Sequence, residues 1–303
     1  MPQKEKKVII SAASGFIGQN LSRHLTMRGY TVIGLSRSAK NNLAACDYYS
    51  AQSWLQHIDG AYAVIHLAGE NVAGGRWRES VKKRLIDSRV QTTRALCDAI
   101  LSAKKKPTQV ILASAIGIYG DRGNETLDEQ SAPGKGFLAE LGEQWESASS
   151  ALQKTKVNRT LFRIGVVLGN DGGFVEKLKL LMKLGLGGPP GNGNQYMSWV
   201  HLADVLSSFQ FALDKNISGI YNLTAPNPVT ASELFAAWGK ALHRPVFLPA
   251  PAFALKMVFG QMADEVLLAS ARVIPKSLLK AKFNFQYPLI ESAFESIVTE
   301  DKN

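Results

Sequence analysis

At 303 residues the chain is long enough to bury a sizeable hydrophobic core, as one large domain or as two lobes. Its 46% hydrophobic and 20% charged residues are typical of a globular protein, and its two cysteines provide neither a disulfide framework nor a metal-ligand cluster. A formal net charge of +10 suits solubility and attraction to an anionic ligand. Because the basic residues do not cluster with aromatic residues, the sequence argues against nucleic acid as a partner.

The sequence carries no signal for export or for a membrane partner. The N-terminal apolar run is three residues long, too short for the core of a signal peptide. The most apolar late stretch, from Val246 to Gly260, contains prolines and a lysine and is shorter than the roughly 20 residues that a membrane span needs. Since the low cysteine content also suits a reducing compartment, we expect a soluble, cytoplasmic protein.

The chain begins with the pattern of a strand, a turn and a helix. An apolar run predicts a strand near residues 7–11. Ile17, Leu21 and Leu25 then recur every four residues, which predicts a helix near 16–28. Backbone N–H groups and the positive dipole end at such a helix start hold a pyrophosphate. The sequence therefore predicts a dinucleotide-binding turn composed of Ala12, Ser14, Gly15, Phe16, Ile17 and Gly18.

Two further strand ends complete the predicted cofactor site. The strand near 31–36 ends in Ser36 and Arg37, at the position where an NAD site has a carboxylate for the ribose 2′-hydroxyl. Arginine instead pairs with a 2′-phosphate through charge-assisted hydrogen bonds, so the sequence favours NADP over NAD. The strand near 62–68 ends in residues that let the backbone approach the cofactor, namely Leu67, Ala68 and Gly69.

Strand and helix patterns continue to alternate as far as Gly169. Further strands are expected near 109–114 and 158–164, and helices near 79–102 and 137–153. This alternation predicts an α/β fold with a Rossmann-like, doubly wound parallel sheet that helices cover on both faces.

Beyond this point the pattern changes to helices and loops. Helices are expected near 173–184 and 202–213, and Thr230 with Glu233 predicts a capping box at the start of another helix. We therefore predict two parts of the chain. Residues 1–168 form the NADP-binding domain, and 169–303 form a smaller, mainly helical C-terminal lobe that is interleaved with the last sheet strands.

Several motifs together resemble a known family. The first turn is similar to the G-x-x-G-x-x-G of extended short-chain dehydrogenases, with Ala12 at the first glycine. Segment 114–120 is similar to their S-S-x-x-V-Y-G. With segment 198–201 and the tail near 249–298, the chain resembles the YfcH-type epimerase family of the NAD-dependent epimerase/dehydratase superfamily, including its small C-terminal domain of unknown function. The resemblance implies a Rossmann-like fold and a nicotinamide dinucleotide cofactor.

The chain departs from this superfamily at the catalytic positions. Relatives with established chemistry use Tyr to move a proton, Lys to lower the pKa of that Tyr, and Ser or Thr to orient the substrate. The aligned positions here hold Leu138, Gly142 and Ala115, and Arg89 stands where an asparagine often completes the site. Met197 replaces the arginine with which nucleotide-sugar relatives grip the diphosphate, which disfavours a nucleotide-sugar substrate.

Three interpretations follow: the site uses other residues, the protein binds NADP without chemistry, or the alignment is displaced. For a relocated catalytic site the first candidates are Tyr119 and Ser114, followed by Glu140, Glu143 and His201. Tyr119 alternatively has a structural role under the nicotinamide pocket. Arg89 and Ser114 are also expected to contact the cofactor, and Arg89 alternatively neutralises an acidic substrate. Trp77 and His201 are the candidates for substrate contacts, unless Trp77 only anchors its loop.

The sequence thus favours an NADP-binding oxidoreductase or epimerase-like enzyme that acts on an unidentified small substrate. The alternative is a non-catalytic NADP(H)-binding sensor or scaffold protein. We expect no metal, no nucleic-acid partner and no membrane partner, and either a monomer or a homodimer.

Overall fold

The computed structural model describes residues 6–39 and 42–301. In chain order the strands are β1 (Lys7–Ile10), β2 (Thr31–Ser36), β3 (Ala44–Ala45), β4 (Ala63–His66), β5 (Gln109–Ala115), β6 (Thr126–Leu127), β7 (Asn158–Ile164), β8 (Val166–Leu168), β9 (Tyr196–Met197), β10 (Trp199–His201), β11 (Gly219–Leu223), β12 (Val229–Thr230) and β13 (Arg272–Val273). The α-helices are α1 (Phe16–Met27), α2 (Ala51–Ile58), α3 (Glu79–Ser102), α4 (Phe137–Ser147), α5 (Gly173–Lys183), α6 (Leu202–Lys215), α7 (Ala231–Leu242), α8 (Ala252–Phe259), α9 (Lys276–Lys280) and α10 (Ile290–Glu300).

Seven of these strands form one parallel sheet in the order β11-β7-β5-β4-β1-β2-β3. The central strand β1 lies between β2 and β4, with Ile9 in register with Ile33 and Val64. The strand order reverses between β1 and β4, which leaves a crevice at the carboxyl edge of the sheet where ligands of open α/β folds bind. The architecture confirms the predicted Rossmann-like, doubly wound sheet.

Alternate residues of the central strand bury the two faces of the sheet. Ile10 points to one face and packs in a cluster with Leu21 of α1, whereas Ile9 points to the other face and packs with Trp54 of α2. All four side chains are fully buried. Each such burial contributes roughly 1.5–3 kcal/mol to stability, so the alternating pattern of β1 holds helices on both faces.

The C-terminal lobe has a separate aromatic core. Trp238 of α7 stacks on Phe294 of α10, with ring centroids 5.3 Å apart and an angle of 7° between the rings. Helix α7 begins at the predicted capping box, in which Thr230 and Glu233 exchange hydrogen bonds between side chain and backbone. Strand β11 joins the main sheet although it follows α6 in the chain. Within the described residues, no helix has both the length and the apolar character needed to cross a membrane.

Two elements end earlier than the sequence predicts, and two others were missed. The helix expected near 137–153 ends at Ser147, because the Ser149 hydroxyl donates to the Glu146 carbonyl and a short 3₁₀-helix follows. The strand expected near 62–68 ends at His66, since the next backbone N–H, that of Leu67, donates to the Ser11 hydroxyl instead of to a strand. Helix α2 and strand β3 were not predicted.

Glu265 connects the C-terminal lobe to helix α4. Its carboxylate accepts hydrogen bonds from the backbone N–H groups of Phe137 and Leu138, at 3.1 and 2.8 Å. The residue before the helix, Gly136, has no side chain for capping and a φ of 103°. Because a carboxylate at a helix start satisfies free N–H groups and opposes the helix dipole, Glu265 caps α4 from a distant part of the chain.

Replacing Glu265 with alanine is expected to lower the free energy of unfolding by about 1–2 kcal/mol, the usual effect of a lost helix cap. Urea unfolding followed by circular dichroism would measure the change. Glu295→Ala, on the exposed side of α10, is the matched control and should alter stability by less than about 0.5 kcal/mol. Equal losses in the two variants would contradict the capping role.

Candidate cofactor and substrate site

Hydrogen bonds to Tyr48 and to Leu35 of β2 fix the turn between β1 and α1. The backbone N–H of Ala12 donates to the Tyr48 hydroxyl at 2.8 Å, and this hydroxyl donates to the Leu35 carbonyl at 2.7 Å. The Ala13 N–H donates to the same carbonyl at 3.0 Å. Ala12 has a φ of 50°, in the left-handed region that glycine enters at lower cost. The alanine therefore adopts a backbone conformation suited to the glycine that it replaces.

Gly18 in the first turn of α1 packs directly on this turn. A Cβ atom on Gly18 would lie 2.3 Å from the Ala12 carbonyl oxygen and 2.8 Å from the Ala13 Cα. The residue at the start of α1 is Gly15, which has no capping side chain, and the first turn holds no acidic residue. The helix start therefore presents backbone donors and a positive dipole end to the crevice, as an anionic ligand requires.

A buried histidine joins the carboxyl ends of β1 and β4. His66 Nδ1 lies 2.9 Å from Ser11 Oγ, and His66 Nε2 lies 3.3 Å from Thr92 Oγ1. Ser11 Oγ accepts from the Leu67 N–H, and Thr92 Oγ1 donates to the Ser88 carbonyl. Ser11 consequently donates to Nδ1, and the ring proton is on Nε2. Burial lowers the pKa of His66 to about 3, so this residue is neutral and structural.

Ser36 and Arg37 lie where β2 ends. The Ser36 side chain is buried, and its hydroxyl donates to the Ser38 carbonyl. The Arg37 side chain is exposed and forms no ion pair with any residue that the structure describes. A guanidinium one strand away from the β1–α1 turn is thus available to an anion.

A cavity of about 410 Å³ opens at the carboxyl edge of the sheet, at the ends of β5 and β7 and beside α4. Ala115, Leu138 and Gly142, which align with the catalytic residues of relatives, all line this cavity. A Cβ atom on Gly142 would lie 2.8 Å from the Ile118 Cβ, so the helix packs too closely there for a lysine. The cavity thus lies where the sequence alignment places the reaction centre, and these three positions offer no proton donor.

Arg89 of α3 lines the cavity and is buried. Its guanidinium donates to the Glu70 and Leu85 carbonyls at 2.7 and 3.2 Å and lies 5.1 Å from the Trp145 ring centroid. It also packs on Gly69, where a Cβ atom would lie 3.2 Å from the Arg89 Cζ. Burial lowers the pKa of Arg89 to about 10, so the side chain remains cationic at neutral pH.

The two catalytic candidates lie outside the cavity, in a buried polar network. Arg163 of β7 forms a two-pronged ion pair with Glu146 of α4, with both N···O distances 2.8 Å. The Ser114 hydroxyl donates to Glu146 at 2.7 Å, and Arg163 donates to the Tyr119 hydroxyl at 2.9 Å. The Tyr119 hydroxyl lies 2.7 Å from the Asn222 side-chain oxygen, to which it donates.

Both hydroxyl groups expected to act in catalysis thus have partners within this network. The Tyr119 side chain is fully buried, and Ser114 is 3% exposed. Burial raises the pKa of Tyr119, which further disfavours loss of its proton. These contacts fit the structural alternative for Tyr119, and the hydrogen bond from Ser114 holds the Glu146 carboxylate in place.

The two residues expected to contact substrate are also away from the cavity. Trp77 is buried, and its indole N–H donates to the Val72 carbonyl at 2.8 Å, which agrees with the alternative of a loop anchor. His201 is buried at the start of α6, where its Nδ1 accepts from the Ala203 N–H at 3.2 Å. Its ring packs 4.0 Å from the ring of Tyr287, and burial lowers its pKa to about 4. Both side chains are thus held by contacts within the protein.

One wall of the cavity was missed by the sequence analysis. It comes from the C-terminal segment and includes Glu265, Val266 and Ala271. Lys135, in the loop before α4, was also missed. None of these residues stands in a local motif, because their common position arises from contacts between distant parts of the chain. Among the described residues, no cluster of His, Cys, Asp or Glu side chains is placed to hold a metal ion.

The parallel sheet, its switch-point crevice and the helix start beside it define a dinucleotide-binding protein of the Rossmann class. The family model described as "NAD dependent epimerase/dehydratase family" matches residues 8–224, and a domain of unknown function, DUF1731, matches residues 250–297. The chain belongs to the NAD dependent epimerase/dehydratase family. The two matches confirm the resemblance found in the sequence.

Relatives cover nearly the whole chain. Epimerase family protein Mb2239 of Mycobacterium bovis is 38% identical over 289 residues, which are 94% of this chain and 95% of that protein. Human epimerase family protein SDR39U1 is 33% identical and spans 96% of this chain and 99% of its own length. The crystal structure of human SDR39U1 (isoform 2) with NADPH has a TM-score of 0.90 at 30% identity and covers 97% of this chain and 99% of that chain.

The close packing of Gly18 predicts the effect of adding one methyl group. Gly18→Ala is expected to destabilise the protein by about 1–3 kcal/mol, because the new Cβ meets backbone atoms that cannot rotate away. Gly15→Ala is the milder comparison, since its Cβ would lie 3.2 Å from the Ala12 carbonyl oxygen. Urea unfolding would measure the stability of both variants. A smaller loss of stability in Gly18→Ala than in Gly15→Ala would contradict this prediction.

In the buried network, loss of the Glu146 carboxylate is expected to destabilise the protein more than loss of the Ser114 hydroxyl. Glu146→Ala leaves the Arg163 cation buried without a partner and is expected to cost about 3–5 kcal/mol. Ser114→Ala removes one hydrogen bond to that acid and should cost about 1–2 kcal/mol. Thermal and urea unfolding would compare the variants, and a Glu146→Ala protein as stable as Ser114→Ala would refute the central role of the ion pair.

Proposed function

We propose that this protein binds NADP(H) across the carboxyl edge of its sheet and acts as an oxidoreductase or epimerase-like enzyme on a small molecule in the adjoining cavity. The observation that carries this proposal is the 410 Å³ cavity at the reaction-centre positions Ala115, Leu138 and Gly142. A cavity of this size is typical of small-molecule sites. The NADPH in the crystal structure of human SDR39U1 supports the choice of cofactor.

The residues at the β1–α1 turn fit a dinucleotide pyrophosphate. The backbone of Ser14, Gly15, Phe16, Ile17 and Gly18 would hold the phosphates at the helix start, beside Ala12. Leu67, Ala68 and Gly69 follow the end of β4, at the same edge of the sheet as the β1–α1 turn. Their backbone and the small side chain of Ala68 would contact the cofactor.

The end of β2 fits the 2′-phosphate that distinguishes NADP from NAD. Arg37 is exposed and free of acidic partners among the described residues, and the buried Ser36 precedes it. NAD sites have a carboxylate at this position, which binds the ribose 2′-hydroxyl. Arg37 is instead a cation that would pair with the 2′-phosphate of NADP.

Bound NADPH would supply a hydride to a substrate carbon. The chain itself would position the substrate and exclude water through the apolar walls that Leu138 and Trp145 provide. Since Leu138 stands at the aligned tyrosine position, the reaction proposed here does not use a tyrosine–lysine proton relay.

The second candidate function is a non-catalytic NADP(H) sensor or scaffold. It is favoured by the apolar residues at all three aligned catalytic positions and by the engagement of Ser114 and Tyr119 in the buried network. Titration calorimetry with NADPH, followed by a carbonyl-substrate screen that monitors NADPH absorbance, separates the candidates. Substrate-dependent oxidation supports the enzyme, tight binding without turnover supports the sensor, and absence of NADPH binding refutes both.

Arg37→Ala is expected to weaken NADPH binding by roughly 10–100-fold, the effect of losing a charge-assisted phosphate contact. NADH affinity should change little, because NADH lacks the 2′-phosphate. Calorimetric titration of both cofactors would measure the two affinities. Arg23→Ala, which removes an exposed arginine of α1, is the charge-matched control. An equal loss of NADPH and NADH affinity in Arg37→Ala would exclude Arg37 from the 2′-phosphate site.

A further inference from the structure

The charges that line the cavity are unevenly buried. Of the charged lining residues in the described part of the chain, Arg89 is the one that is buried, with 9% of its surface exposed. Asp121, Lys135 and Asp264 are exposed, and Glu265 is partly exposed. Water screens exposed charges strongly, whereas a buried charge is screened much less and acts more strongly on a ligand beside it. Arg89 therefore dominates the electrostatics inside the cavity.

The acidic residues at the cavity already have partners elsewhere. Asp264 forms an ion pair with Lys256 at 2.8 Å, and the Glu265 carboxylate caps α4. Asp121 accepts a hydrogen bond from the Ser270 N–H at 3.2 Å. None of these acids forms an ion pair with Arg89: within the described residues, no carboxylate oxygen lies within 4 Å of its guanidinium nitrogens. The charge of the Glu70 carboxylate raises the pKa of Arg89 and so opposes part of the effect of burial, but this carboxylate pairs with Arg84 at 3.4 Å.

Arg89 also has hydrogen-bonding capacity to spare. A guanidinium has five N–H donors. The described contacts of Arg89 are with the Glu70 carbonyl, the Leu85 carbonyl and the Ser88 hydroxyl, which use at most three of these donors. The group is fixed between Gly69 and the Trp145 ring, so its plane is preorganised. A buried cation without an acidic partner is costly unless a ligand supplies the missing charge.

The rest of the cavity wall is mostly apolar. Ile116, Leu138, Leu141, Trp145 and Val166 all contribute to it. Such a wall favours a ligand with a hydrocarbon body over a sugar or another polyhydroxylated molecule, which would leave buried hydroxyl groups unpaired.

We propose that the cavity receives a small organic acid, whose carboxylate pairs with Arg89 and whose apolar body packs against Leu138 and Trp145. This inference rests on the proposed function, because it names the substrate class of the same site. A planar carboxylate matches the two-pronged geometry of a guanidinium, and the pairing would neutralise the buried cation.

The experiment compares two probes that differ only in the acid group. Octanoate and octan-1-ol are titrated calorimetrically into the full-length protein saturated with NADPH, after NADPH binding itself has been measured. The wild-type protein is expected to bind octanoate at least roughly tenfold more tightly than octanol, as a charge-assisted contact predicts. Arg89→Gln is expected to abolish this preference, and Arg89→Lys is expected to keep part of it.

Lys215→Met is the control for a general change of charge, because Lys215 is an exposed lysine at the end of α6. This variant should keep the wild-type preference. Circular dichroism checks that each Arg89 variant folds. If Arg89→Gln does not fold, the wild-type pair of probes and Arg89→Lys still decide the question.

Each remaining outcome has a separate meaning. Equal affinity of the wild type for octanoate and octanol would overturn the inference and leave the proposed NADP(H) binding intact. An Arg89→Gln protein that binds NADPH weakly but still prefers octanoate would assign Arg89 to the cofactor and also overturn it. Absence of NADPH binding by the wild type would refute the proposed function and, with it, this inference.

Discussion

The buried ion pair between Glu146 and Arg163 is the interaction on which the site depends. It joins α4 to β7, and through Ser114 it also reaches β5. Burial alone lowers the pKa of Arg163, but the hydrogen bonds and charge of Glu146 outweigh this effect and hold the pKa above its usual range. An isolated charge in this position would be strongly unfavourable, so each partner requires the other.

This ion pair determines what the cavity can be. Because it fixes the orientation of α4, it also sets the positions of Leu138 and Gly142, which lie two turns and one turn before Glu146 and line the cavity. Gly142 then packs against Ile118 too closely for a long side chain. The hydroxyl groups of Ser114 and Tyr119 form hydrogen bonds with the ion pair and with Asn222 beside it. Polar groups at the sheet edge thus stabilise the fold, while the wall of the cavity is mostly apolar and Arg89 is its buried cation among the described residues.

The sequence predicted best those elements that have a clear local pattern of apolar and small residues. The alternation around Ile9 and Ile10 predicted the central strand and its two covered faces, and the turn before α1 followed from small residues between two apolar patterns. Helix α2 escaped detection because it has only two turns, and its clearest signal is the Ser50 hydroxyl that accepts from the Ser53 N–H. Short elements carry too little periodicity to separate them from loops.

The side-chain roles could not be read from the sequence in the same way. Tyr119 follows β5 in both the catalytic and the structural interpretation, and only its distance to Asn222, which lies 103 positions away in the chain, separates them. The cavity wall that Glu265 helps to form depends equally on a contact between distant segments, 128 positions apart. Residue type and local spacing predict where a ligand binds in this fold, whereas long-range packing decides which side chains face it.

The position of the C-terminal segment has a consequence for how the chain can be divided. Met262 of this segment packs in one apolar cluster with Trp77 and Phe137 of the N-terminal part, and β13 pairs with β6. A protein cut before residue 250 would retain every strand of the main sheet, yet its apolar cluster would be open to water. Such a surface promotes association, so the two matched family segments constitute one folding unit and are poor candidates for separate expression.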